Sequence, residues 1–341
     1  MRRALKPKLS GRELRHDSNE RDQAVPPAKP PGPRWSVPAR RHLSDRPALG
    51  VLLGAVTIAF SGILFRKSQV SPTTGAFFRC LWALPFLWPL SVWEDRRIGP
   101  RPWTLRRAAW IGGVFFAADL VLWHYSIEYV GAGLATVLGN TQVVLVGLLA
   151  WAIFRERPAR NSLLAIPVAM VGIVLISGVL ESGAYGSNPK LGAIYGLLTG
   201  IAYSGFLLAL RWGSGERGRV AGPLYDATLA AAICVVPIGL VLGNLDFTPG
   251  LEAQGWLITL ALSSQVVGWL LITVSLGRLP TALTSVLLTL QPLLAVIFAA
   301  LLIDERPSPL QLLGAAFILC GLLIASAGRR EEAPLETVPE H

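Results

Sequence analysis

Charged residues are scarce in this chain of 341 residues: Asp, Glu, Lys and Arg make up 15% of it, and cysteine occurs three times. Soluble domains carry about 25% charged residues, so the composition argues against a soluble globular fold. The cysteines lie in apolar segments without metal-ligand spacing, which argues against a disulfide framework or a zinc site. The hydrophobic content of 52% and the mean hydropathy of +0.51 instead indicate an integral membrane protein.

Enzyme signatures are also missing from the sequence. It contains no Walker loop, no G-x-S-x-G and no H-E-x-x-H, so neither an enzyme nor a bound cofactor or metal is expected. The net charge of +10 does not indicate nucleic-acid binding, because the basic residues lie between apolar runs or in the N-terminal segment. Basic residues at these positions set membrane topology and bind anionic lipid headgroups, so membrane lipids are an expected partner.

The two ends of the chain differ from the rest. Residues 1–46 contain twelve Lys or Arg, five Asp or Glu and a cluster of prolines, which predicts a disordered cytoplasmic tail. They do not form a signal peptide, because no apolar stretch follows the basic start. Residues 328–341 are similarly polar and are expected to be a cytoplasmic C-terminus.

Between these ends, apolar windows of about 20 residues recur, which is the length that spans the hydrocarbon core of a bilayer. They predict an all-α integral membrane protein with ten transmembrane helices. The windows fall near 48–65, 73–93, 106–127, 131–154, 160–180, 190–211, 223–243, 253–276, 280–303 and 308–327.

The sequence also repeats itself. QVVLVGLLAWAIFRERP at 142–158 matches QPLLAVIFAALLIDERP at 291–307, an offset of 149 residues that pairs Gln142 with Gln291. Before the third helix the offset becomes 143, which aligns Ala59-Phe60-Ser61-Gly62 with Ala202-Tyr203-Ser204-Gly205. The first five helices (47–180) therefore correspond to the last five (190–327), and because five is odd the second copy is inverted in the bilayer.

The distribution of basic residues gives the orientation. With a cytoplasmic N-terminus, the inside segments carry fourteen arginines beyond the N-terminal tail, whereas the outside segments carry only Arg66, Lys67, Lys190 and Arg306. Because cytoplasmic loops are enriched in Lys and Arg, both termini are predicted to be cytoplasmic.

The paired Glu-Arg-Pro helix ends, the Gln-Pro in LTLQPLLAVIFAALLIDERP and the 5+5 layout resemble EamA-type members of the drug/metabolite transporter superfamily. The resemblance covers roughly 48–327. It implies a secondary-active transporter of the inner membrane that exports a small organic metabolite, such as an amino acid or a drug-like solute, by alternating access. The first copy departs from the pattern, because it has Val143 where the second has Pro292.

Polar residues near the middle of the predicted helices are the candidates for solute binding or translocation. Gln142 and Gln291 lie midway along helices 4 and 9, near the pseudo-two-fold axis where such carriers hold substrate. The alternative is that each amide only bonds a neighbouring helix. Pro292 leaves the carbonyl of Leu288 without its helical N–H partner, which gives one more acceptor. Asn140 belongs to the same candidate set.

Two faces of the repeat add aromatic and polar candidates. Asp119 and Trp123 share one face of the third helix, and the 149-residue offset maps this face onto Gln265 and Trp269 of the eighth. Such faces suit an amphipathic organic solute, although tryptophan also packs in cores.

Three ionisable residues are candidates for an ion pair or for proton coupling. Arg79 and Asp119 lie at similar depth, so they form either a fixed ion pair or a site in which Asp119 binds a proton or a substrate amine. His124 lies one turn from Glu128, and the pair either senses protons or forms a solvated helix end.

These features predict a carrier whose partner is a small-molecule solute, driven by an ion gradient, such as that of protons, or by the solute's own gradient. A hypothesis of a different class is a membrane scaffold or sensor without transport, whose cytoplasmic tail binds a partner.

Overall fold

The computed structural model describes residues 47–155, 159–213, 219–276 and 281–327. The predicted tail (1–46), the polar C-terminus (328–341) and the first Glu-Arg-Pro motif (156–158) lie outside the described residues. The described residues form helices that are joined by short connections, and they contain no strand.

The helices follow one another with few intervening residues. They are α1 (Pro47–Ala59), α2 (Ser61–Ser68), α3 (Pro72–Ile98), α4 (Trp103–Val130), α5 (Ala132–Gly139), α6 (Gln142–Phe154), α7 (Arg160–Ile176), α8 (Pro189–Gly213), α9 (Ala221–Leu242), α10 (Leu251–Leu260), a π-helical segment (Ala261–Gly268), α11 (Trp269–Leu276), α12 (Thr281–Leu302) and α13 (Pro309–Ala327).

Within the described residues, seven helical stretches are long and apolar enough to cross a membrane: Pro47–Ser68, Pro72–Ile98, Ala132–Phe154, Pro189–Arg211, Ala221–Leu242, Leu251–Ser275 and Pro309–Ala327. Two shorter apolar helices accompany them, Arg160–Ile176 and Leu287–Leu302. Helix α4 has 28 residues and carries Asp119. The chain is therefore a multi-pass, all-helical membrane protein.

The predicted windows coincide with helical stretches, and the largest difference is at the end of the second window, predicted at 93 and observed at Ile98. Three interior features were not predicted. The first window breaks at Phe60, the fourth breaks between Gly139 and Gln142, and the eighth contains the π-helical segment. Conversely, α12 continues through Pro292 without a break.

Local sequence explains where several helices begin and end. Ser71 caps α3 by accepting a hydrogen bond from the backbone N–H of Thr74, and Pro72 follows at the first helical position, where its missing N–H is harmless. Helix α9 ends at Gly243, whose φ of +67° lies in the left-handed region that glycine adopts without strain.

The helices pack most closely where glycines allow backbones to approach. Helices α7 and α13 cross at Gly172 and Gly314: a Cβ on Gly172 would lie 2.6 Å from the carbonyl oxygen of Gly314. Small residues permit such contacts in membranes, where helix association depends on packing rather than on the hydrophobic effect. Other extensive contacts join α4 to α8 and α3 to α9.

The two ends of the bundle are held by different polar contacts. At the Glu94 end, where α3 ends and α9 begins, Glu94 accepts hydrogen bonds from the backbone N–H groups of Val220 (2.7 Å), Ala221 (3.1 Å) and Gly222 (2.8 Å). At the opposite end, where α9 ends and α3 begins, the side-chain oxygen of Asn244 accepts from the Thr73 hydroxyl at 2.7 Å. Helices α3 and α9 are thus tied together at both ends.

Candidate functional site

A cavity of about 430 Å³ lies within the helical bundle. Its walls come from α1, α2, α3, α4, α5, α6, α8, α11, α12 and α13, so residues far apart in sequence meet there. Seven of the nine residues selected from the sequence line it: Arg79, Asp119, Trp123, Asn140, Gln142, Trp269 and Gln291. A volume of this size accommodates a small organic molecule.

The paired glutamines both reach this cavity. Gln142 begins α6, directly after the break in the fourth window, whereas Gln291 lies inside the continuous α12. Leu288, whose carbonyl cannot bond to the nitrogen of Pro292, also lines the cavity. The two glutamines therefore have different backbone settings: Gln142 follows a helix break, and Gln291 precedes a proline within a helix.

Two acceptors beside the cavity have no hydrogen-bond partner among the described residues. They are Oε1 of Gln142 and Oγ1 of Thr199. Both residues line the cavity. Because an unpaired buried polar group is costly, these atoms are suited to a donor supplied by a bound molecule.

Arg79 and Asp119 both line the cavity, but the expected fixed ion pair is not found among the described contacts. The Nε of Arg79 instead donates to Oε1 of Gln265 at 3.3 Å, and its guanidinium lies 5.5 Å from the ring centroid of Trp123. The choice between a locking pair and a site in which Asp119 binds a proton or a substrate amine stays a prediction. In this conformation Gln265, which lies in the π-helical segment, supplies the amide that bonds the guanidinium.

Gln265 and His124 are the two candidates that do not line the cavity. Gln265 is fully buried between Arg79 and Thr228. His124 is also fully buried, with Nδ1 3.1 Å from the carbonyl oxygen of Pro72 and its ring stacked on Phe65. The alternative of a solvated helix end was therefore wrong for His124, although Glu128 is exposed.

Several cavity residues were missed by the sequence analysis. Thr136, Thr199 and Thr273 place hydroxyl groups on the walls, and Ser61 and Tyr203 lie within the repeated motif Ala-Phe-Ser-Gly and Ala-Tyr-Ser-Gly. That motif was used only to set the offset of 143 residues. Its polar side chains were the signal that could have identified them.

Glu305 lies between α12 and α13 and contacts the start of α5. Its Oε1 accepts from the backbone N–H of Ala132 at 2.6 Å and its Oε2 from that of Gly133 at 3.1 Å, so this connection caps the first turn of α5. Burial raises the pKa of Glu305, while these two hydrogen bonds and Arg66 act in the opposite direction. The preceding Gly131 has a φ of +92°, and a Cβ there would lie 2.8 Å from Oε2.

The Glu94 end of the bundle carries a network of ion pairs. Nη1 of Arg101 lies 3.2 Å from Oδ2 of Asp226, and Nη2 lies 3.2 Å from Oδ2 of Asp95. Nη1 of Arg219 lies 3.1 Å from the other oxygen of Asp95. This network joins the start of α4 to the start of α9.

Apolar membrane-spanning helices around a cavity that holds both a guanidinium and a carboxylate are typical of membrane transporters. Residues 46–178 and 190–327, more than half of the chain, each match the EamA-like transporter family. The chain belongs to this family, of the drug/metabolite transporter type, which indicates a transporter rather than an enzyme.

The individual proteins that match this chain have low sequence identity to it. The uncharacterized transporter YwfM of Bacillus subtilis is 24% identical over 257 residues, covering 72% of this chain and 82% of the relative. The threonine/homoserine exporter RhtA of Escherichia coli is 29% identical over 251 residues, covering 69% and 78%. A solved crystal structure matches with a TM-score of 0.56 at 14% identity over 85% of this chain and 99% of that one, which shows the fold alone.

Proposed function

We propose that this protein is a secondary-active exporter that binds a small organic solute in the cavity and works by alternating access. The observation that carries the proposal is the meeting of Gln142 and Gln291, 149 residues apart in the sequence, on the walls of one cavity. A scaffold that acts only through its tail has no need of a cavity lined by unpartnered acceptors. The relative RhtA is an amino-acid exporter by name, which supports amino-acid-related solutes here.

Ten transmembrane helices in two inverted halves provide the framework for this proposal. Backbone conformation supports the repeat: Arg155 (φ +58°) and Asp304 (φ +52°), again 149 residues apart, are both left-handed at a helix end. Few residues other than glycine adopt this conformation, so its recurrence at matching positions is informative.

Helix crossing supports the inversion. Gly172 meets Gly314, while Gly321 has the backbone of Ala165 as its nearest neighbour, and the offset of 149 exchanges these two contacts. Ala165 of α7 meets Gly321 of α13, and Gly172 meets Gly314. Residue numbers therefore increase along α7 in the direction in which they decrease along α13, so the two helices are antiparallel. Contacts that exchange in this way are those of a pseudo-two-fold axis.

The proposed orientation places both termini and the Glu94 end in the cytoplasm and the Glu305 end outside. The excess of arginine in the segments assigned to the inside supports it. In this conformation, the hydrogen bonds from Ala132 and Gly133 to Glu305 join the two halves on the outer side. Opening toward the outside would have to break them.

Replacing the paired glutamines tests the role of the cavity. Gln142→Leu and Gln291→Leu should each lower solute affinity roughly 2- to 13-fold, the equivalent of a hydrogen bond of about 0.5–1.5 kcal/mol. Leucine is compatible with a membrane helix, so folding should be kept. The solute is first identified by comparing the media of deletion and overexpression strains, and its affinity is then measured on the purified variants.

Gln254→Leu is the matched control, because Gln254 accepts a hydrogen bond from Nε1 of Trp82 but does not line the cavity. The Gln254→Leu variant should bind the solute with unchanged affinity. If both cavity variants bind the solute normally and only melt earlier, the glutamines serve helix packing and the proposed site is wrong.

A further inference from the structure

Arg79 is a buried cation with no carboxylate oxygen within 4.0 Å of its guanidinium among the described residues, although Asp119 lines the same cavity. The Arg79 side chain is 5% exposed and contacts an amide oxygen and an indole face. These neighbours stabilise a positive charge only partly, because neither carries a full negative charge. Since Arg79 lines the cavity, its guanidinium can still bind an anion there, and its fork of N–H donors matches a carboxylate.

Gln265 fixes the orientation of this guanidinium. Its Nε2 donates to Oγ1 of Thr228 at 3.2 Å, which leaves Oε1 to accept from Nε of Arg79 at 3.3 Å. Gln265 and Thr228 are both fully buried. Engaging Nε leaves the terminal nitrogens of the guanidinium for a ligand.

The π-helical segment explains why Gln265 takes this position. Its repeat counterpart, Phe116, lies in regular α-helix and lines the cavity, whereas Gln265 lies in Ala261–Gly268 and does not. π-Helical turns are rare and are frequently found at functional sites. The π-helical segment, which has no counterpart around Phe116, thus places the amide of Gln265 against Nε of Arg79.

The same cavity also offers a site for a positive group. Asp119 lines it without forming an ion pair to any described cation, and the unpartnered oxygens of Gln142 and Thr199 border it. Carboxylate, amide and hydroxyl oxygens accept hydrogen bonds from an ammonium group. Aromatic and aliphatic walls, including Phe116 and Trp269, remain for an apolar side chain.

We infer that the transported solute carries a carboxylate bound by Arg79 and an ammonium group bound near Asp119, and that Gln265 is the residue that positions Arg79. This inference rests on the proposed transport function and adds to it the charge pattern of the solute. A zwitterionic amino acid with an apolar side chain has this pattern.

Matched probes test the charge pattern on the purified full-length protein. L-Leucine, L-leucinamide (without the carboxylate) and 4-methylpentanoate (without the amine) are compared by calorimetric binding. Leucine should bind tightest. Arg79→Gln should weaken leucine and 4-methylpentanoate on the order of 10- to 100-fold, as expected for a charge-assisted hydrogen bond, and leave leucinamide unchanged. Equal binding of leucine and leucinamide to the wild-type protein would overturn the inference.

Variants of Gln265 separate positioning from packing. Gln265→Glu places a carboxylate beside Arg79, so it should keep the melting temperature while weakening leucine at least as much as Gln265→Leu does. A packing role predicts that glutamate restores affinity along with stability. Gln311→Leu is the control: this fully buried glutamine bonds to Tyr185 and Ile176 away from the cavity, and its loss should lower stability without changing leucine affinity.

Transport assays distinguish failure of the inference from failure of the proposed function. If the wild-type protein in liposomes moves none of the three probes but its overexpression changes a solute in the medium that lacks the carboxylate or the ammonium group, the charge pattern is wrong and the transport function stands. If no solute changes in either assay, both are rejected.

Discussion

Arg79→Gln and Asp119→Asn are each expected to lower transport of a zwitterionic solute by roughly 10- to 100-fold, and the double variant is expected to remain at least as impaired as either single variant. Each residue is proposed to bind a different charged group of the solute, so neutralising both removes two contacts. Initial rates of uptake into liposomes measure this, and the melting temperatures of the purified variants show whether each is folded.

A locking ion pair predicts the opposite outcome. Removing one partner would leave an uncompensated charge, and removing both would restore stability and transport. Arg101 and Asp226 are the matched control, because their charged atoms lie 3.2 Å apart at the Glu94 end. There the double variant Arg101→Gln/Asp226→Asn should recover stability lost in the single variants. Recovered transport in the Arg79/Asp119 double variant would remove both residues from the binding site.

Glu305→Ala is expected to open the outer end of the protein. It removes the acceptor for the N–H groups of Ala132 and Gly133, and losing hydrogen bonds to a charged group worth about 2 kcal/mol would shift the equilibrium toward the outward-open state by roughly 30-fold. Labelling of a cysteine at Thr273, a cavity residue, by a membrane-impermeant thiol reagent added outside measures the shift. The native cysteines Cys80, Cys234 and Cys320 are replaced beforehand.

Asp304→Asn is the control for this experiment, because it removes a neighbouring negative charge and asparagine tolerates the left-handed backbone at that position (φ +52°). It should leave outside labelling unchanged. If Glu305→Ala lowers the melting temperature but labels no faster than the Asp304 variant, Glu305 only caps α5 and does not hold a gate.

The sequence predicted the helical stretches and seven of the residues that line the cavity, because both depend on patterns of single residues. Apolar length located the helical stretches, and the 149-residue repeat selected Gln142 and Gln291, which share the cavity. The partner of Arg79 could not be predicted in this way. Depth in the bilayer suggested Asp119, but the contact with Gln265 depends on a π-helical segment that hydropathy does not register.

The interior breaks show a second limit of sequence patterns. Pro292 predicted a freed carbonyl in the second copy, and α12 remains helical through it, whereas the break falls between Gly139 and Gln142 in the first copy. Proline within a membrane helix is tolerated when its surroundings satisfy the freed carbonyl. At the break, the side chain of Asn140 donates to the carbonyl of Thr136 at 2.8 Å, a local bond that competes with helix continuation.

Access to the cavity from the two sides of the membrane tests alternating access most directly. The Thr273→Cys protein, with its native cysteines replaced, is labelled in right-side-out and inside-out vesicles by the same impermeant reagent, with and without the exported solute. Alternating access predicts labelling from both sides. It also predicts that adding the solute increases labelling on one side while it decreases labelling on the other. Labelling from one side only, under conditions in which the solute is transported, would contradict it.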